Sequence, residues 1–510
     1  MSEEKLKKAM MMAINAGYQI DEGSFSLLRT ISETGNPEAI MQKTIERANA
    51  MPAKPLILTR ELLGEVADEL FPRKEPEPLP LIEKTMKEAF YPYAKEIPGE
   101  VTVIEDPGQT ISPEGSAKGF LECFRDRFKR TEKILRERFD ARFAISIRRA
   151  LNSPPGTQVK VIGMVTEKRE QRRSTLITIE DLETSATVLI PPTADRKLLE
   201  SSQRILLDQV ICVNANKGRN NLLIATELIW PDIPDRKPNR SPISVYAAFT
   251  SDLHIGSRLF TRNAFDRFIL WLNGKWGDAQ QRELAGRIKY VVIAGDIVDG
   301  IGVYPEQEKE LAIPNIFEQY QVAASFIDQI PDYIRVIIIP GNHDAARQAL
   351  PQTTISKKYA GPIYSAQRVT MLGNPARIQL HGVNVLIYHG RSLEDIIGSA
   401  PNLSYDHPEK AMELLLKARH LAPIYGKRTP IAPEPHDHLV IKEAPDIFHV
   451  GHVHVNGYTT YRGTLLVNSG AWQTMTDYQR KMGTNPTPGR VPIINLQTLE
   501  LAEINFMKPD

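Results

Sequence analysis

Apolar positions in the first 70 residues recur with helical spacing. They are Leu6, Met10, Ala13 and Ile14, then Ile40, Thr44 and Ala48, then Leu62, Leu63, Val66 and Leu70. Such spacing lines up one stripe of an amphipathic helix, so residues 1–70 are expected to form a small helical module. The pattern then breaks. Pro72, Pro76, Pro78, Pro80, Pro92, Pro98, Pro107 and Pro113 fall among acidic residues, and 71–115 is expected to be an extended linker. Residues 116–150 are expected to be helical and basic, with 11 Lys/Arg against 5 Asp/Glu. That bias suits either a solvated helix face packed on the next domain or a surface that meets phosphate.

From about residue 156 the period changes from helix to strand. Val159–Ile162, Thr175–Ile179, Ala186–Ile190, Val210–Val213 and Leu222–Ala225 are short, β-branched runs. Five strands within about 80 residues predict a small barrel of the OB type over 151–235. Lys168, Arg169, Arg172 and Arg173 are expected in the first inter-strand turn, as a nucleic-acid contact or a solvated tip. After the Pro-rich stretch Pro231 to Pro242, strand and helix patterns alternate to the end, which predicts a layered α/β domain over 236–510.

Composition adds limits. At 510 residues the chain exceeds one ordinary core. Apolar content of 42% and charged content of 25% are those of a globular protein. No run of 18 apolar residues occurs, and the apolar stretch Ala9 to Ile14 is too short and too poorly flanked for a signal peptide, so neither a membrane span nor a signal peptide is expected; with only two cysteines, a reducing cytoplasm is. Cys123 and Cys212, the only cysteines, exclude a disulfide scaffold or a cysteine zinc site. A net charge of +1 implies that any nucleic-acid surface is local or shared with a partner.

Five polar motifs in the last domain each follow an apolar run. Ser251-Asp252-Leu253-His254 follows Val245–Phe249, and Gly295-Asp296 follows Tyr290–Ala294. Gly341-Asn342-His343-Asp344 follows Val336–Ile339, His389-Gly390 follows Val385–Tyr388, and Gly451-His452-Val453-His454 follows Ile447–Val450. Singly, each is more often a turn or a satisfied core histidine. Together and in order, they deliver polar groups to the carboxyl ends of buried strands, where open α/β sheets bind ligands.

Asp252, His254, Asp296, Asn342, His389, His452 and His454 offer oxygen and imidazole nitrogen and no sulfur. That donor set suits Mn²⁺, Zn²⁺ or Fe²⁺. Seven ligands exceed one ion and fit two, about 3.5–4 Å apart. At that separation the bare repulsion is on the order of 19 kcal/mol at an effective dielectric of 20, so a carboxylate must bridge. The residual positive charge favours an anionic phosphoester. Asp299 is expected to make a structural hydrogen bond or to touch the site or a neighbouring loop, Asp344 to fix a turn, and His407, His436, His438 and His449 to have no metal role. Tyr304 and Arg347 are expected to line the substrate path or to pack.

These motifs resemble the calcineurin-like metallophosphoesterase superfamily over about residues 243–510. The longer runs Gly295–Pro305, Pro340–Gln348 and Gly451–Tyr458 resemble, more narrowly, the small subunit of archaeal family-D DNA polymerases. The resemblance implies an α/β multi-domain chain: a calcineurin-like phosphoesterase β-sandwich flanked by helices, preceded by an OB-fold barrel and a small N-terminal helical module. It implies a 3′→5′ proofreading exonuclease acting on a single-stranded DNA 3′ end beside a separate large catalytic subunit. Asp252, His254 and His454 would hold one metal, most simply Mn²⁺. Asn342, His389 and His452 would hold the other, Asp296 would bridge, and His343 would be catalytic, serving the leaving oxygen. A phosphomonoesterase on the same fold and a mainly structural polymerase subunit are the rival expectations.

Overall fold

The computed structural model describes residues 2–34, 36–51, 54–70, 90–109, 115–171 and 174–508. It divides into two compact units, 1–87 and 88–510.

The first unit contains the helices Ser2–Asn15, Glu22–Thr34, Pro37–Ala50 and Arg60–Leu70. Asn36 caps the third by accepting a hydrogen bond from the Ala39 N–H, with Pro37 in the first turn, where its missing N–H costs nothing. Leu6, Ala13, Ile40, Ala48, Leu63 and Val66 share one core, as their spacing predicts. Ile14 departs from the prediction and is exposed.

In the second unit, strands Gln158–Gln171, Ser174–Glu180, Ser185–Ile190, Val210–Lys217 and Leu222–Ile229 close into a barrel. The third and fifth pair in parallel, and every other pairing is antiparallel. Alternate residues such as Ile177 and Ile179, or Ala186, Val188 and Ile190, fill the interior. Gly163 is needed because a Cβ there would lie 2.8 Å from the Ile179 Cβ. Lys168 and Arg169, expected in a turn, lie within the first strand, which runs longer than its apolar segment. Lys168 donates to the Gln203 carbonyl and Arg169 pairs with Glu167. Arg172 and Arg173 lie outside the described residues.

The helix Ala117–Glu137, capped by Ser116, lies on the outside of this barrel, where Phe128 and Leu135 pack on Ile162, Met164 and Cys212. Both cysteines are free and buried, and burial pushes each thiol up to about 12.

Two six-stranded sheets form the rest. One runs, edge to edge, Val369–Met371, Arg335–Ile339, Ile288–Ala294, Tyr246–Thr250, Arg490–Asn495 and Leu501–Asn505. The other runs Gly457–Tyr461, Thr464–Asn468, Ile447–Val450, Val383–Tyr388, Ala376–Leu380 and Val101–Glu105. One core lies between them: Ala247, Phe249, Val292 and Ile337 from the first sheet meet Ile378, Val385, Ile387 and Val467 from the second. Helices cover the outer faces, Arg262–Leu272 and Ile316–Asp328 on one and Pro408–Ala418 on the other. The central strands are buried on both faces, which is why they are apolar beyond Lys289 and Arg335 at their starts.

Val101–Glu105, placed in the extended linker, pairs antiparallel with Ala376–Leu380 as an edge strand. The prolines around it mask a five-residue β-branched segment, and an edge strand needs partners on one side only. Prolines 72 to 80 and Pro113 lie outside the described residues.

Candidate metal centre

All five motifs sit at the carboxyl ends of parallel strands, three in one sheet and two in the other. The sheets face each other, so the motifs meet at one end of the shared core. Glycine permits the approach. A Cβ on Gly295 would lie 2.6 Å from the Gly341 nitrogen and 2.7 Å from His389 Nδ1, and one on Gly341 would collide with Asp296.

The seven expected ligands converge in two groupings, the first buried and the second buried except at Asn342 and His452. In the first, His254 Nε2 lies 3.0 Å from His454 Nε2, which is 3.5 Å from Asp252 Oδ1. In the second, His389 Nε2 lies 3.0 Å from Asn342 Oδ1, and Asp296, His389 and His452 bring ligand atoms within 4.8 Å of one another. One atom stands between them: Asp296 Oδ2 is 3.8 Å from His254 Nε2 and 3.4 Å from His389 Nε2. These His and Asp groupings are able to hold metal ions.

Each carboxylate spends one oxygen on the protein and leaves the other to the centre. Asp252 Oδ2 accepts from the His452 N–H and the Ser251 hydroxyl, while its buried Oδ1 has no hydrogen-bond partner. Asp296 Oδ1 accepts from the His343 N–H at 2.8 Å, freeing Oδ2. A buried carboxylate oxygen without a donor is costly unless something positive meets it.

The imidazoles are set for the same task. His389 Nδ1 donates to the Ala294 carbonyl at 2.8 Å, which leaves the Nε2 lone pair for a ligand. Asp299 Oδ1 lies 3.0 Å from His254 Nδ1, and Gln307 and Gln473 donate to Asp299 in turn. Burial holds His254 below its ordinary pKa and so favours the neutral ring. Burial opposes charge on Asp296 and His389 too, but each overrides this for the other. Asp296 stays well below the usual carboxylate range, and His389 is drawn up to about 9.

His343 faces the same cleft, of about 300 Å³, beside His254, Tyr304, Arg391, Tyr405 and Tyr478. Its Nδ1 donates to the Asp299 carbonyl at 2.7 Å, so Nε2 is the nitrogen left for chemistry.

The family model for the B-subunits of DNA polymerases alpha and epsilon matches residues 247–459. A relative named DNA polymerase II small subunit, from Methanothermobacter thermautotrophicus, is 37% identical over 490 residues, covering 96% of this chain and 98% of the relative. The chain belongs to the DNA polymerase II small-subunit family. A relative of the same name from Archaeoglobus fulgidus is 43% identical, over 77% of this chain and 78% of its own. One from Pyrococcus furiosus is 41% identical over 76% of this chain; the match spans 63% of that relative's length. The resemblance read from the motifs to an archaeal polymerase small subunit therefore stands.

Within this family member the other singled-out residues separate cleanly. Asp344 accepts from the Gly341 and Ile297 N–H groups and pins the turn, and burial raises its pKa to about 7. His407, His436, His438 and His449 lie in neither grouping. Tyr304 lines the cleft, whereas Arg347 is spent on the Pro351 carbonyl and Glu434. Sequence reasoning missed Gln479, whose Nε2 is 2.6 Å from His454 Nδ1, and Glu394, beside His452. Neither lies in a motif, so nothing in the local spacing marks them. Among the described residues no helix is long and apolar enough to cross a membrane.

Proposed function

We propose that this chain is a metal-dependent 3′→5′ exonuclease that works beside a large polymerase subunit. One observation carries the reading: a single oxygen, Asp296 Oδ2, lies between two histidine groupings, 3.8 Å from His254 and 3.4 Å from His389. Asp252, His254 and His454 would hold one ion and Asn342, His389 and His452 the other, with Asp296 bridging. Oxygen and nitrogen donors fit Mn²⁺ first, with Zn²⁺ or Fe²⁺ as alternatives. When bound, the two ions supply Lewis acidity to the phosphate and a water of lowered pKa. The layout of two helix-flanked sheets supports a calcineurin-like phosphoesterase, and the strand order and pairing of the barrel support an OB-fold.

The chain's own residues supply the rest. Water attacks the terminal phosphorus in line and releases one proton to solvent, the bond to the 3′-oxygen breaks, and His343 gives a proton from Nε2 to that oxygen, to be restored from solvent, releasing a 5′-mononucleotide. The Asp299 carbonyl keeps the ring in place throughout. The relatives' name, a small subunit, supports a separate large partner.

The test uses end-labelled, mismatched primer–template with Mn²⁺, with and without the large subunit. His343→Ala should keep both ions by elemental analysis and lose cleavage by about 10²–10⁴-fold. Cleavage at the parental rate would remove His343 from the mechanism. No cleavage by the intact protein with its partner would leave a structural subunit.

A further inference from the structure

Glu394 belongs to no motif, yet it stands against the metal centre. The short helix Leu393–Ile397 starts four residues after His389 and brings Glu394 to the wall of the cleft. Its side chain is only 17% exposed. Oε2 accepts from Arg428 Nη1 at 3.2 Å, and the same Nη1 lies 3.1 Å from the Tyr478 hydroxyl. The Arg428 segment is itself pinned, because Asp395 accepts from the Arg428 and Thr429 N–H groups at 3.0 Å. The other oxygen, Oε1, lies 3.6 Å from His452 Nε2, a buried nitrogen that makes no hydrogen bond.

An imidazole that binds a cation through one nitrogen carries its hydrogen on the other, and an acceptor there fixes both tautomer and ring orientation. Two of the other histidines have such partners. His389 uses the Ala294 carbonyl and His254 uses Asp299. For His452 the acceptor within reach is Glu394. A separation of 3.6 Å is longer than a hydrogen bond, and a cation on the far nitrogen would polarise the N–H and shorten it.

We infer that Glu394 is a positioning residue: held by Arg428, it keeps the hydrogen of His452 on Nε2 and turns Nδ1 toward the cation shared with Asp296, Asn342 and His389. This rests on the metal reading above. It assigns no contact with substrate to Glu394.

The experiment is Mn²⁺ titration of the full chain by calorimetry, with bound metal counted by elemental analysis. Glu394→Ala should keep one ion at parental affinity and weaken the other by about 10–100-fold. Glu394→Gln should stay close to the parent, because an amide oxygen still accepts from Nε2. Arg428→Met, at an exposed position, leaves the fold intact and should weaken the same ion by less. Parental affinity for both ions in Glu394→Ala would overturn the assignment. So would an equal loss in the Gln variant, which would mean that charge rather than a hydrogen bond matters. A parent that takes up no second ion would overturn this inference together with the metal reading, which separates the two failures.

Discussion

Backbone conformation at the centre is unusual residue by residue. Asp252, His254, Asp296, His452 and His454 all have positive φ, at 54°, 49°, 52°, 72° and 60°. For residues with a Cβ such conformations cost on the order of 1–3 kcal/mol each and persist only where the surroundings impose them. Here they turn side chains off strand ends toward one point. Asn tolerates this region nearly as well as Asp. Asp296→Asn should therefore keep the fold, with melting within a few degrees of the metal-free parent, while uptake of both ions falls in a metal-binding titration. Unchanged uptake would show that Asp296 does not bridge. The candidate ligands were legible in the sequence because each lies within four residues of a strand end. Asp299 was legible as a structural hydrogen bond or a contact with the site, without its histidine partner, and Gln479 and Glu394 not at all. They reach their histidines across the fold, at separations that no local pattern encodes.

At the level of elements, the helix Ala117–Glu137 illustrates a basic segment put to structural use. Arg127, only 1% exposed, donates through Nε to Asp437 at 2.7 Å and through Nη1 to the Pro423 and Asp208 carbonyls. The helix thus fastens the barrel to the loop that follows the helix Pro408–Ala418. Of the two readings open for this stretch, the packed face is the one Arg127 follows. Removing one partner of a buried pair strands the other charge, so Arg127→Ala should lower stability by about 3–5 kcal/mol. Chemical denaturation checks this, and a loss below about 1 kcal/mol would reduce the pair to an exposed-type contact. Elements with a clear period, the N-terminal helices and the barrel strands, were predictable. Val101–Glu105 was not, because its sheet partner lies some 275 residues away and edge strands need little sequence support.

For the whole molecule, buried neutral histidines set the acid limit of stability. Burial, with Arg127 nearby, lowers His420 from 6.5 to about 4, and burial lowers His449 from 6.5 to about 3. Unfolded, both take up a proton near pH 6.5; folded, they resist. Their contribution is complete above pH 6.5 and is lost as pH falls toward 4, at up to about 1.4 kcal/mol per pH unit for each group. Denaturation midpoints measured between pH 7.5 and 4 should fall steeply, and a flat profile would mean that both rings are charged in the folded state. By itself the sequence determined the helical start, the five-strand barrel and the residues that end each buried strand. Those features follow from local periodicity and from chain connectivity. Tertiary structure alone decided that two sheets face each other, that one carboxylate oxygen lies between two histidine groupings, and which second residues hold each imidazole. Such contacts join positions 200 residues apart and more, and only packing of the shared core brings them within bonding distance.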